Sequence, residues 1–426
     1  MGRAWENSSY GHRRSRRWAL ALLGLTLAAS VVVFWLLRPG TKKSAAVPAA
    51  LLPSRPQTHV SRPEAPLSSM ANEEIGAATE LELPLPNATR TGDEANADWH
   101  AAEGFLLAGK YPEALAAYNR LARTNPFSRG RAGFCLARMG RWDEAVGELQ
   151  AAVSAQPGDF AVRKLLAYAL YRQNELKAAL EQVQAALAML ADNELLDLQV
   201  KLEKEIRVQR HYDDARTANF VVLFDGYEHD DIKRSVLDIL KDAYADIGKE
   251  LDYFPDQPMS VILYTAKDFS DVTRAPMWAG GEFGKIDGKI RLPVQGSADH
   301  ERELRRVLYH EYTHALLYQL APGCPLWLQE GLAQYLCGDR PVSAGQMIPL
   351  PLLVNGFPAE PRAAYAAYME SLQAVSDLLE EHGMARLHLL LGKLSDGSDL
   401  ETAFATAYGQ PFSRWAKSWR PARSGE

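Results

Sequence analysis

The sequence predicts a multidomain chain with an N-terminal apolar helix, an all-α region of repeated helix pairs, and a C-terminal α+β domain. Three observations predict it. Trp18 to Leu37 is an uncharged run of twenty residues, three stretches between 102 and 190 superimpose on one another, and from 217 short β-branched runs alternate with amphipathic ones. A chain of 426 residues also exceeds what one ordinary core holds.

The uncharged run, "WALALLGLTLAASVVVFWLL", makes a helix ~30 Å long, the thickness of a bilayer's hydrocarbon core. Trp18 and Trp35 lie near its two ends, where indoles favour the interface. A signal peptide has a shorter apolar region, and no small-x-small cleavage site precedes Lys42 and Lys43. The run therefore reads as a retained anchor. Arg13, Arg14, Arg16 and Arg17 favour a cytoplasmic residue 1–17 segment, which puts the rest of the chain in the periplasm or outside the cell. Residues 38–92 carry eight prolines and no apolar periodicity, the composition of an extended tether.

"AEGFLLAGKYPEALAAYNRLARTNP" (102–126) and "AGFCLARMGRWDEAVGELQAAVSAQP" (132–157) superimpose with Gly109 on Gly140, a shift of 31. "LAYALYRQNELKAALEQVQAALAML" (166–190) sets Ala179 on Ala145, a shift of 34. Each unit is a helix, a tight turn near Gly or Asn, and a second helix with small residues at the crossings, so that stacked pairs bury a continuous core. Residues 97–192 resemble the tetratricopeptide repeat. That resemblance implies a concave surface for a protein partner; the alternative is that the repeats only brace the next domain. "NELLDLQVKLEKEIRVQRHYD" continues as a connecting helix over 193–216.

"NFVVLF" (219–224) and "MSVILYT" (259–265) are short β-branched strands, and "DIKRSVLDILKDAYADIGKELDY" (231–253) is an amphipathic helix between them. "GKIDGKIRLPV" (284–294) reads as a hairpin turning at Asp287-Gly288, with Pro293 placing its strand at the sheet edge. The formal charge of −6, without a sustained basic face, argues against nucleic acid as a main partner. Three cysteines exclude a disulfide framework; Cys324 and Cys337 either pair in an oxidising compartment or are small buried thiols.

The chemistry is concentrated in "VLYHEYTHALLYQL" (307–320). Two histidines and a glutamate inside an apolar helix are costly to desolvate unless something satisfies them. His310 and His314, four residues apart, project from one face and both reach one ion at about 2.0–2.1 Å. Glu311 is angled away from that ion and within reach of water beside it. His-Glu-x-x-His is the zinc peptidase pattern; a satisfied histidine pair in a core helix is the alternative. Zinc chemistry requires a third protein ligand and one open position. Glu330, in "PLWLQEGLAQYL", lies on a second helix that starts after the turn at Pro322-Gly323 and Pro325 and runs back past the first.

These two helices resemble the gluzincin metallopeptidases, whose third ligand is a glutamate in a Trp-x-x-Glu-Gly-x-Ala setting; Trp327, Glu330, Gly331 and Ala333 match it in order. Residues 217–420 as a whole resemble the peptidase MA-like domain of bacterial proteins, often found beside tetratricopeptide repeats. Four blocks carry this: "FVVLF", "WAGGEFGKIDGKIRLPV" and the two helices. Relatives often place an acid four residues after the ligand glutamate, to hydrogen-bond a zinc histidine; here that position is Gln334, an amide without charge.

The resemblance implies a zincin-like metallopeptidase domain binding Zn2+ through His310, His314 and Glu330, with Glu311 as general base. It implies a helix over 363–383 behind the metal, from which Tyr368 or Tyr365 supplies an oxyanion donor, a tyrosine on a helix being otherwise a core residue. An extended substrate would pair with strand 289–292. The function expected is a membrane-anchored zinc endopeptidase acting on proteins outside the cytoplasm. The alternative is a non-catalytic repeat scaffold with a structural zincin-like domain.

Overall fold

The computed structural model describes residues 84–86, 97–226, 230–274, 280–294, 301–342 and 347–420, which all belong to one compact unit, Glu64–Glu426. The basic segment, the apolar run at 18–37 and nearly all of the tether lie outside the described residues. Among the described residues, no helix is long and apolar enough to cross a membrane.

Seven helices open the unit: α1 (Ala97–Leu107), α2 (Tyr111–Leu121), α3 (Ser128–Arg138), α4 (Trp142–Ala155), α5 (Phe160–Arg172), α6 (Leu176–Leu187) and α7 (Asn193–Val208). Gly109, Gly140 and Asn174 hold the same place in three successive turns, with φ of 69°, 73° and 62°. Glycine takes this left-handed conformation without steric cost, and Asn is among the few other residues that tolerate it. Each turn closes with the same bond: the N–H of Lys110, Arg141 and Glu175 donates to the carbonyl of Phe105, Leu136 and Leu170 at 2.9, 2.9 and 3.0 Å. Ala114, Ala145 and Ala179, one turn further on, are fully buried, so the paired helices meet at small side chains.

α7 stops at Val208, short of the 216 expected for the connecting helix. A 3₁₀ turn (Gln209–His211) leads into strand β1 (Tyr212–Arg216), which pairs antiparallel with β2 (Phe220–Asp225). "YDDAR" lacks any apolar alternation, so nothing in its own residues marks a strand; its backbone is fixed by the partner. α8 (Asp230–Leu251), β3 (Met259–Tyr264), α9 (Ala266–Thr273), β4 (Glu282–Gly284) and β5 (Lys289–Pro293) follow. The sheet runs β1-β2-β3-β5-β4, with β2, β3 and β5 parallel and each outer strand antiparallel to its neighbour.

The 284–294 hairpin is present, with two corrections. Its connection has four residues, Lys285 to Gly288, with Gly288 at φ 67° and its N–H bonded to the Gly284 carbonyl at 2.7 Å. The strand carrying Pro293 is internal, and the edge belongs to β4. β4 pairs only with Lys289, Ile290 and Arg291. The Val294 N–H donates to the Tyr264 carbonyl at 2.8 Å, so alternation turns the nitrogen of residue 293 toward β4's side, where β4 has already ended. Proline costs no ladder bond there.

One face of the sheet, with Val222, Val261, Leu263, Ile290 and Leu292, is buried in the main core beneath α8 and the helix Glu301–Leu320. On the other face Ile262 and Tyr264 pack with Phe269 and Val272 of α9. The chain ends in α10 (Glu301–Leu320), α11 (Leu326–Leu336), a 3₁₀ turn (Leu350–Leu353), α12 (Pro361–His382), α13 (Met384–Ser395), α14 (Leu400–Tyr408) and α15 (Phe412–Ser418). The last helices hold the site from behind. Trp327, fully buried, stacks on Phe412 at 5.5 Å and on Trp415 at 6.1 Å.

Candidate metal centre

His310, Glu311 and His314 all lie on α10, and Glu330 lies on α11, which starts at Leu326 after the turn at residues 321–325. The helices pack closely because residue 331 is glycine: a Cβ there would collide with the Ser371 carbonyl and Val375 of α12. The glycine after Glu330 therefore lets α11 and α12 approach. Without it the glutamate would be pushed off station.

His310, His314 and Glu330 each bring one ligand atom within 4.8 Å of the others. The two Nε2 atoms are 3.1 Å apart, and Glu330 Oε2 lies 3.5 Å from that of His310 and 3.4 Å from that of His314. Ligands sharing one ion at about 2.0–2.1 Å with near-tetrahedral angles are separated by about 3.4 Å. The donor set, two imidazoles and a carboxylate, also suits zinc. Both tests are met.

The electrostatics are those of desolvated, mutually dependent groups. Burial alone would raise the Glu330 carboxyl, but His314 and His310 hold it well below the usual range. Burial depresses His310; His314 is raised, because Glu330 and Glu311 outweigh its own burial. Glu311 is pushed up to about 8 by burial, with Glu330 and Glu282 adding repulsion against His314 and a backbone N–H. That N–H belongs to Phe283 of β4. Antiparallel alternation around the Phe283–Ile290 pair turns it away from β5, onto the open edge of the sheet. Gly281 stands directly beside Glu311, where a Cβ would come 2.8 Å from its Cγ.

The remaining expectations fare unevenly. Gln334 is buried on α11, but its Nε2 donates to the carbonyls of Glu330 (3.1 Å) and Tyr368 (3.0 Å). Its Oε1 and the Nδ1 of His310 are both buried without a hydrogen-bond partner among the described residues. The amide therefore does not orient the His310 imidazole through a hydrogen bond. Tyr368 lies on α12 with its ring against Phe357 at 4.8 Å, in a small cluster with Met369, Leu372 and Tyr365. Both tyrosines pack within this cluster, Tyr368 buried and Tyr365 partly buried. Cys324 and Cys337 are free thiols, and burial pushes the latter up to about 12.

Three further charged groups lie near the centre, two of them, Glu282 and Lys285, within the block "WAGGEFGKIDGKIRLPV". Asp339 is held bidentate by Arg306, one turn before His310, at 2.5 and 2.8 Å, and its charge raises His310. Glu282 repels Glu311 from β4. Lys285, in the turn after β4 and exposed on the surface, faces the Glu330 charge, which raises it. No spacing rule links these residues to the histidines: the sheet edge brings Glu282 and Lys285 there, and the pair with Arg306 brings Asp339.

Residues 240–423 match the family model of the Peptidase MA superfamily. No curated protein matches the chain. The matched segment contains both site helices and the edge strand, which supports a zincin-like, metallopeptidase-type domain in this part of the chain. Members of that superfamily are typically zinc-dependent.

Proposed function

We propose that His310, His314 and Glu330 hold a catalytic zinc and that the chain is a zinc endopeptidase of gluzincin type. The observation that carries this reading is the convergence of three ligand atoms within 4.8 Å, with Glu311 on the same helix bonded to the sheet edge. When bound, zinc lowers the pKa of its water toward neutrality and polarises the scissile carbonyl. Glu311 takes the water's proton on a carboxylate oxygen and later gives it to the leaving amine. Its raised pKa, near neutrality, suits a group that must do both. The open edge of β4, rather than strand 289–292, receives an extended peptide, because main-chain groups there lie beside Glu311. Glu282 and Lys285 then flank the bound backbone.

The test is direct. The purified chain is expected to carry about one zinc and to cleave unstructured peptides, to lose both with a chelator and to recover them with added zinc. A protein that binds no metal overturns the reading. The second reading, a non-catalytic scaffold, is favoured by one observation: the partnerless Nδ1 of His310 beside an amide that donates elsewhere. Stoichiometric zinc without hydrolysis would select it.

The helix pairs are read as tetratricopeptide-like, offering a protein partner a docking surface. The apolar run at 18–37 is read as an anchor that holds the domain outside the cytoplasm. A reporter that matures only in an oxidising compartment should work when fused after residue 92; activity confined to a cytoplasmic reporter at that junction would refute the orientation.

A further inference from the structure

β5 alternates strictly. Ile290 and Leu292 enter the main core, so Lys289 and Arg291 point to the opposite face, yet both are fully buried. What buries them is the helical array. Arg291 Nη2 donates to Glu205 Oε1 of α7 at 2.8 Å and to the Tyr171 hydroxyl of α5 at 3.0 Å. It also pairs with Asp287 in the hairpin turn, and Tyr171 donates to Glu205 at 2.8 Å. Lys289 Nζ donates to Asn174 Oδ1 at 2.7 Å and sits over the Tyr171 ring at 4.6 Å. The positive-φ Asn174 that turns α5 into α6 is thus also a docking residue.

A more accessible contact lies beside this network. Arg172 Nη1 donates to the Ile286 carbonyl at 2.9 Å, its guanidinium stacks on Trp142 at 4.6 Å, and it bonds Tyr318, one turn beyond His314. Tyr318 in turn packs against the Phe283 ring at 5.7 Å. Phe283 supplies the N–H that Glu311 accepts. The array therefore grips the same hairpin whose free edge runs beside the general base.

We propose that the helical array is a working part of the peptidase site, with Glu205 and Arg172 as positioning residues that hold the β4–β5 hairpin and hence the substrate edge beside Glu311. This rests on the peptidase reading of the site. A three-residue edge strand with one neighbour has little to fix it, and the buried charges of β5 have no other counter-charge of comparable burial among the described residues beyond Asp287 in their own turn. A buried ion network adds little net stability, and in this proposal its role is to fix one arrangement. Here that arrangement is the height and tilt of β4 over α10.

The test uses the full chain carrying Glu205→Gln or Arg172→Ala, with amide exchange, zinc content and peptide kinetics measured together. Exchange in residues 282–291 should quicken at least about tenfold, while the buried half of α10 and α11 keeps its protection. Zinc stoichiometry should hold. KM for an extended peptide should rise about tenfold with kcat changed less than about threefold, the split expected when binding of the backbone, and not the chemistry, is disturbed. Unchanged hairpin exchange, or a loss of kcat with KM fixed, overturns the proposal. If Glu205→Gln does not fold, Arg172→Ala decides, since it leaves the buried network intact. A parent that hydrolyses nothing refutes the peptidase reading, and the exchange contrast alone then judges the grip of the array on the hairpin.

Discussion

Glu311→Gln is expected to lower peptide hydrolysis by a factor of at least about 10² while leaving zinc content at about one per chain. The substitution keeps size and shape, so the fully packed surroundings on α10 are undisturbed. The amide oxygen it introduces would still accept the Phe283 N–H, which preserves the register of the edge strand. What the substitution removes is the carboxylate's capacity to take up and return a proton. Burial and two nearby carboxylates push its pKa up, while His314 and the backbone N–H restrain it, giving about 8. A carboxyl at its ordinary value would be a weaker base for the same task, and an amide is none. The measurement is metal content beside kcat on one preparation. If Glu311→Gln retains full turnover, the general base lies elsewhere; if it loses zinc, Glu311 is a ligand and the assignment of roles is wrong.

The two site helices were legible because their constraints are local. A four-residue histidine spacing fixes one helix face, and Pro322, Gly323 and Pro325 dictate a short return that brings Glu330 back. The turns of the helix pairs were legible for the same reason, since left-handed backbone demands Gly or Asn. What escaped was set by partners distant in sequence. Arg291 and Glu205 lie 86 residues apart, and no sequence pattern pairs them. The alternation of Lys289-Ile290-Arg291-Leu292 reads as one buried and one solvated face, yet the array buries both. The edge was misassigned because "EFG" is too short to display a period of two, so β4 exists only through its pairing with β5. Pro293 pointed to an open side that is real but begins two residues beyond the last β4 pair.

That pattern bears on how the metal centre is held. The Gln334 amide braces the helices, its Nε2 bridging the carbonyls of Glu330 and Tyr368. Gln334 thus ties α11 to α12 next to Gly331, where the helices come closest. The only bidentate carboxylate–guanidinium pair described near His310 is Asp339 on Arg306, one turn up the same helix. Ligand orientation here depends on backbone packing more than on a hydrogen bond to the imidazole.

Deleting ligands should therefore be severe. Groups that only orient a metal ligand typically cost 10–100-fold in affinity when removed, so loss of a ligand itself is expected to cost more than about 10². His310→Ala, His314→Ala and Glu330→Ala each leave two donors in a buried pocket. Glu330→Ala is the sharpest of the three, because Glu330 reaches the histidines only through the turn at 321–325 and the close approach allowed by Gly331. It also removes the one carboxylate whose charge both histidines face, at 3.5 and 3.4 Å. With it gone, burial acts on His310 against Asp339 alone, and the two Nε2 atoms, 3.1 Å apart, are left to share one proton or repel. Zinc binding by titration calorimetry, with circular dichroism to verify the fold, separates the cases. Weakened zinc on a folded protein supports Glu330 as third ligand; parental affinity would mean that the third ligand comes from another residue, and the gluzincin type would fall even if the histidine pair stood.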